Sequence, residues 1–257
     1  MPKFTPISRE RHAEMCWRRF DSYGFARQAN VASLVASEMP KASSAMPLAF
    51  IRQGEDFLPV ALMGLEPGKN LFVASDGRWL GRYVPAAFRG QPFAFAKLED
   101  GGLVLCIDEE SELVGEHHGA EQLLTAEGEP TEAVKQVLDF LRQVEADRGP
   151  TKTACAALVR HDLIRPWPIT LKDESGEQKV EGIHQVDEAA LNQLSDEAFL
   201  DLRRCGALLL AYCQLLSIQH LPMLGELAKL HAQAVSAPQP SVSTSFSLHD
   251  DDVLNFG

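Results

Sequence analysis

Leu48-Ala49-Phe50-Ile51-Arg52-Gln53-Gly54-Glu55-Asp56-Phe57-Leu58-Pro59-Val60-Ala61-Leu62-Met63 is the stretch that decides the fold class. Apolar runs flank Gln53-Gly54-Glu55-Asp56, a polar turn with a glycine, and that order favours antiparallel pairing of two short strands. The pattern recurs. Leu71-Phe72-Val73, Asp76-Gly77 and Trp79-Leu80 repeat it. Phe93-Ala94-Phe95 then faces Leu103-Val104-Leu105-Cys106-Ile107 across Glu99-Asp100-Gly101-Gly102, where two glycines supply the positive φ of a tight turn. An antiparallel or mixed sheet over residues 45–110 is the expectation.

From Thr131 the apolar period lengthens. Val134, Val137, Leu138, Leu141 and Val144 share one helical stripe, with Glu132 in the first turn and Arg148-Gly149-Pro150 as the stop. Thr151–His161 reads as a second, shorter helix. Pro166–Leu171 and Val180–Val186, joined by Asp173-Glu174-Ser175-Gly176-Glu177, read as another hairpin whose prolines push its first strand to an edge or reduce it to an extended loop. Helices come next, opened by Asp187 and Ser195 as N-caps with acids in the first turn. Ala207–Leu216 is a run of ten residues with Gln214 as its one polar member. A membrane span needs about 20 apolar residues, whereas Arg203 and Arg204 precede this run and Ser217, Gln219, His220 and Pro222 interrupt the apolar character beyond it. A helix buried in the core is expected there, and another over Leu221–Ala232.

The predicted class is α+β, with an antiparallel-rich sheet in the N-terminal half and a mostly helical C-terminal third, as one unit over residues 1–235. Residues 236–257 hold few large apolar groups and are expected to form a disordered tail tipped by Asp250-Asp251-Asp252-Val253-Leu254-Asn255-Phe256.

Composition narrows the function. The 257 residues are 45% apolar and 23% charged, values that suit a globular domain. Their net charge of -12 opposes phosphate backbones and anionic bilayers, so neither nucleic acid nor membrane is an expected partner. The charge lies in blocks: +5 over residues 1–98, -12 over 99–147 and -5 over 148–257. Cys16, Cys106, Cys155, Cys205 and Cys213 are widely spaced and odd in number, as reduced thiols are. The N-terminal residues carry no apolar signal stretch. A cytoplasmic location is expected.

Sequence motifs supply little chemistry. His117-His118 is the one close pair of metal-type ligands, and adjacent side chains in a glycine-flanked loop do not converge on one ion, so no metal site is expected. Gly64-Leu65-Glu66-Pro67-Gly68-Lys69-Asn70 has the wrong spacing for a phosphate loop, and no dinucleotide or hydrolase motif occurs, so no cofactor is expected. Asp108-Glu109-Glu110-Ser111-Glu112 lacks the alternation of a calcium loop. Cys205 and Cys213 are expected as small core residues.

The richest segment is Asp76-Gly77-Arg78-Trp79-Leu80-Gly81-Arg82-Tyr83-Val84-Pro85-Ala86-Ala87-Phe88-Arg89-Gly90. Arg78, Trp79, Arg82, Tyr83 and Arg89 are the candidate ligand-binding residues, because guanidinium forks that stack on rings suit a carboxylate, a phosphate or an acidic peptide. The opposing reading puts the rings in the sheet's core and pairs the arginines with the acidic middle block or the acidic tail, within one chain or between two copies as a homo-oligomer.

Several strings resemble the bacterial SapC-like family: Ala45-Met46-Pro47-Leu48-Ala49-Phe50, Asn70-Leu71-Phe72-Val73, Asp76–Pro85, Leu105-Cys106-Ile107-Asp108-Glu109, Gly182–Leu191 and Leu215–Leu221. The resemblance covers about residues 1–230 and carries no catalytic residues over. Related genes occur beside flavin-dependent tryptophan halogenase-like and cupin-like oxygenase genes, which by analogy implies an accessory or substrate-binding partner of such an enzyme. The leading expectation is therefore a non-catalytic cytoplasmic accessory or binding protein that recognises a protein or peptide. A small-molecule binder or enzyme with an anion pocket near Arg78, Trp79, Arg82 and Tyr83 is the second. The family's name comes from a gene associated with surface-layer proteins, which implies a third: a surface-layer assembly or export factor.

Overall fold

Alternating apolar residues and glycine turns build the first half, and the computed structural model describes residues 3–99, 101–115, 120–173 and 176–236. In chain order come β1 (Phe4–Pro6), α1 (Arg9–His12), β2 (Cys16–Trp17), β3 (Val31–Ser33), α2 (Met39–Ser43), β4 (Leu48–Gln53) and β5 (Asp56–Leu62). Next are α3 (Ala86–Arg89), β6 (Phe93–Lys97), β7 (Leu103–Asp108), β8 (Glu121–Gln122), α4 (Glu132–Arg160) and β9 (Ile164–Pro166). β10 (Ile169–Asp173), β11 (Gly176–Val180), β12 (Ile183–Val186), α5 (Glu188–Asn192), α6 (Asp196–Arg204), α7 (Ala207–Ser217) and α8 (Leu221–Ser236) complete the described chain. The class is α+β, with antiparallel sheets first and helices last.

The expected single sheet over residues 45–110 divides in two. β4 and β5 form the predicted hairpin, with Gln53 opposite Asp56, but it lies in a five-stranded sheet of order β3-β5-β4-β12-β9. β6 and β7 pair in a separate three-stranded sheet, β1-β7-β6. Residues 71–80 form no strand pair, only a bridge between Val73 and Trp79. Distant segments decide this outcome: β12 takes the free side of β4, and β1 takes that of β7. Farther along, β10 and β11 pair with Ile169 opposite Val180, while β12 leaves that hairpin to sit between β4 and β9. β9 ends at Pro166 on the sheet's edge, where a missing N–H breaks no ladder.

The helix expected to stop at Arg148-Gly149-Pro150 continues. α4 runs 29 residues through Pro150 and absorbs the second predicted helix. Proline inside a helix leaves a carbonyl of the preceding turn unbonded, at a penalty of about 3 kcal/mol. That carbonyl is Ala146's; the hydroxyl bonds of this turn, Thr151 Oγ1 to Asp147 O at 2.6 Å and Thr153 Oγ1 to Gly149 O at 3.2 Å, reinforce its neighbours and do not replace the lost bond. Packing offsets the loss. Before Pro150, Ala133 and Val134 join a small core with Trp17, Phe93, Ile107 and Leu123; after it, Ala154, Cys155, Ala157 and Leu158 enter the main core under the five-stranded sheet. α4 is thus the beam between two cores, and Pro150 lies at the crossing.

The two predicted N-caps form. Asp187 accepts a bond from Ala190 N at 3.1 Å, and Ser195 accepts one from Ala198 N at 3.3 Å. α7 is pinned to the sheet by its polar side chains. The β4–β12 ladder pairs Ile183 with Ile51 and His184 with Phe50, a register that would next bring Val186 to Leu48. There the Gln214 side chain stands between the strands, accepting from Val186 N at 2.9 Å and donating to Leu48 O at 3.3 Å. Ser217 Oγ accepts from Leu48 N at 2.9 Å.

The helix expected in the core packs there by one face and leaves the other open. Ala207, Leu210, Ala211 and Cys213 are buried, but Leu209, Tyr212 and Leu216 are 45%, 44% and 64% exposed. Ala207–Gln233 is helical over 27 residues, long and apolar enough by length and composition to cross a membrane, with 39% of its most apolar window buried in the fold. His117-His118 and the expected tail from residue 237 onward lie outside the described residues.

Candidate functional site

The richest segment of the sequence wraps a buried carboxylate. Glu38 ends a 3₁₀ turn (Ala36–Glu38) before α2, and its side chain is 6% exposed. Its Oε1 accepts from Tyr83 Oη at 2.6 Å and from Ala86 N at 2.7 Å, and its Oε2 accepts from Val35 N at 3.1 Å. Both oxygens are occupied, which is what a buried carboxylate requires. Burial first, and the bond to Glu38 second, push the Tyr83 hydroxyl above the usual tyrosine range, so it stays protonated and donates.

Arg89 lies beside this pair. Its guanidinium sits 4.8 Å from the Phe140 ring centroid and 5.8 Å from that of Tyr83, bonds Tyr83 Oη at 3.5 Å and pairs with Glu38 Oε1 at 3.9 Å. A cleft of about 560 Å³ opens here, between the 3₁₀ turn, α2, α3 and the middle of α4. Val35, Ala86, Phe140 and Val144 supply apolar walls; Lys41, Arg89, Gln143 and Asp147 supply polar ones.

Of the five predicted site residues, Tyr83 and Arg89 line this cleft and Arg78, Trp79 and Arg82 do not. Trp79 is packed in a ring cluster, stacked on Phe72 at 5.5 Å and close to Tyr23 and Phe88, and its Nε1 donates to Tyr83 O at 2.9 Å. Arg78 pairs with Asp76 at 2.7 Å across Gly77, whose φ of +87° and close approach to Ser22 leave no room for a Cβ. Arg82 is exposed and makes no ion pair among the described residues. The acidic middle block engages other cations: Arg11 reaches Glu109 and Lys97 reaches Glu145. Glu38, Lys41 and Asp147 escaped the sequence reading, because no motif marks them and each meets the cleft only through the fold.

The cysteines are unpaired. Burial pushes the Cys155 thiol up to about 12, with the Asp56 charge adding, and burial also raises Cys106 and Cys213. These three are protonated and shielded at neutral pH, so they behave as small apolar residues. With a thiol-titrating disulfide reagent on the folded protein, half-buried Cys16 and Cys205 will react fast and the other three only after denaturant is added. Fast reaction of Cys155 would contradict the packing of α4.

A second surface feature lies on α7. Leu209, Tyr212 and Leu216 recur at i, i+3 and i+7, so they share one helix face, and that face is open to solvent. Phe199 and Leu200 on α6 are also exposed. α7 carries no acid, and Arg203 and Arg204, just before it, are exposed without an ion pair among the described residues.

No curated protein and no solved structure matches this chain. A protein-family model described as SapC matches residues 7–224, a span that begins before α1, includes the cleft and all of α7, and ends in the first turn of α8. The chain therefore belongs to the SapC family.

Proposed function

We propose that this chain is a non-catalytic cytoplasmic binding protein that recognises a partner protein through the exposed face of α7. The observation that carries the reading is the stripe of Leu209, Tyr212 and Leu216 on a helix whose opposite face is clamped into the core. Exposed apolar side chains gathered on one rigid element mark interaction surfaces more often than scattered ones do. The clamp gives the surface a fixed shape before binding, which lowers the ordering entropy of association. The partner's chemistry is set by the surroundings: an amphipathic segment with apolar side chains for the stripe and acidic residues for Arg203 and Arg204. Unpaired cysteines support a reducing compartment for the protein. An accessory role beside an oxygenase-type enzyme fits this reading.

Leu216→Asp and Leu209→Asp test it. Each residue is exposed, so stability should move by no more than about 0.5 kcal/mol. A protein that co-purifies with the native chain should be lost from both variants and retained by Arg82→Ala. Equal retention by all three variants would overturn the reading. Co-sedimentation of the native chain with anionic lipid vesicles, abolished by the same two aspartates, would replace the protein partner with a membrane surface.

A further inference from the structure

The cleft around Arg89 has the chemistry of a ligand site, and this inference is independent of the partner surface on α7. The Arg89 guanidinium rests against two rings, is 42% exposed and has no short bond to an acceptor among the described residues. Phe140 and Tyr83 lie beside it, yet its one hydrogen bond among those residues, to Tyr83 Oη, is long at 3.5 Å, whereas a charged guanidinium bond to a carboxylate runs at about 2.7–2.9 Å. Glu38 is no substitute, because three other donors occupy its oxygens and Arg89 stands 3.9 Å away. Lys41, on the same cleft, makes no ion pair among the described residues. Two cations with free donors therefore meet apolar walls from Phe140 and Val144 in a space of about 560 Å³, inside the range of about 300–1,000 Å³ typical of small-molecule pockets.

We propose that this cleft binds a small organic carboxylate with an apolar body: the carboxylate on Arg89 and Lys41, and the body against Phe140 and Val144. A carboxylate matches the planar fork of Arg89 with two parallel bonds, and an apolar body fits walls that a phosphate ion would leave empty. Asp147 sets a further preference. It lines the cleft without an ion pair among the described residues, so it disfavours a second negative charge and favours an ammonium. The shared ligand chemistry is thus a monocarboxylate, either alone or as the zwitterion of an apolar amino acid.

Titration calorimetry with four probes tests this on the full chain: 3-phenylpropanoate, L-phenylalanine, phenethylamine and inorganic phosphate. Saturable binding of at least one of the two carboxylates is expected, with phenethylamine and phosphate inert. Arg89→Ala should weaken that binding by about tenfold or more and Lys41→Ala by about threefold, while both variants keep the native melting temperature to within a few degrees. Asp147→Asn distinguishes the two ligand types: it tightens 3-phenylpropanoate, which it no longer repels, and weakens L-phenylalanine, whose ammonium it no longer holds. Two results would overturn the proposal. One is failure of both carboxylates to saturate below about 20 mM, an affinity too weak for a specific site; the other is binding that Arg89→Ala and Lys41→Ala leave unchanged.

Discussion

Replacing Glu38 with alanine is expected to lower the stability of the folded chain by about 3–5 kcal/mol, more than any other single substitution proposed for this protein. The side chain touches three donors, and removing it leaves the backbone N–H groups of buried Val35 and Ala86 and the half-buried hydroxyl of Tyr83 without their acceptor at the wall of the cleft. Bonds to a charged group contribute about 1.5–3 kcal/mol each, and a buried donor left unpaired adds its own desolvation penalty of about 1–3 kcal/mol; shared loss makes the sum smaller than three separate bonds. A chain of this size loses about 2–4 °C of melting temperature per kcal/mol, so a drop of roughly 10 °C should appear in a thermal scan. Glu38→Gln should lose about half as much, because its carbonyl can still accept from Tyr83 and Ala86 while its amide confronts Val35 N. A melting temperature within about 2 °C of native for Glu38→Ala would show that the turn, Tyr83 and α3 hold together without the carboxylate.

Gln214→Leu should cost about 2–4 kcal/mol. Leucine fills nearly the same volume in an apolar helix, so by hydrophobicity alone the change would look favourable. Yet Gln214 is fully buried, and its amide closes the gap between Val186 and Leu48 where the β4–β12 ladder ends. Leucine would leave one buried N–H without its partner and one carbonyl short of a donor. Urea unfolding should show a lower midpoint with an unchanged slope, since the same surface is still buried. Because Ser217 continues to accept from Leu48 N, Ser217→Ala in the same background should add further loss. A stability gain for Gln214→Leu would mean that α7 is held by apolar packing alone, and the rigidity assigned to its outer face would lose its physical basis.

Local pattern was legible in the sequence to the extent that local forces decide it. The β4–β5 and β6–β7 hairpins and the N-caps at Asp187 and Ser195 all rest on residues within a few positions of one another. Assignment of strands to sheets was not legible. Whether β4 pairs on with β6 or with β12 depends on segments more than 100 residues apart. Pro150 misled for a similar reason: the proline rule is local, whereas the burial that carries α4 through it comes from two cores. In the candidate cleft, Tyr83 and Arg89 stood out as part of an arginine and ring cluster. Glu38, 45 residues upstream of Tyr83, carried no signal of its own until the chain folded back on it. Gln214 was visible as the lone polar residue of an apolar run, but what it binds could be read only from the register of two strands, 28 and 166 residues away.

The central claim is that α7 presents Leu209, Tyr212 and Leu216 to a partner while its other face is locked to the sheet. Site-specific photo-cross-linking tests this most directly, with p-benzoyl-phenylalanine placed in turn at positions 212 and 216 and, as a control on another exposed surface, at 82. The account predicts one discrete adduct from 212 and 216, absent from 82 and abolished by Leu209→Asp in the same chain. Adducts of the same mass from all three positions, or none from 212 and 216 in the cells that make the protein, would contradict it.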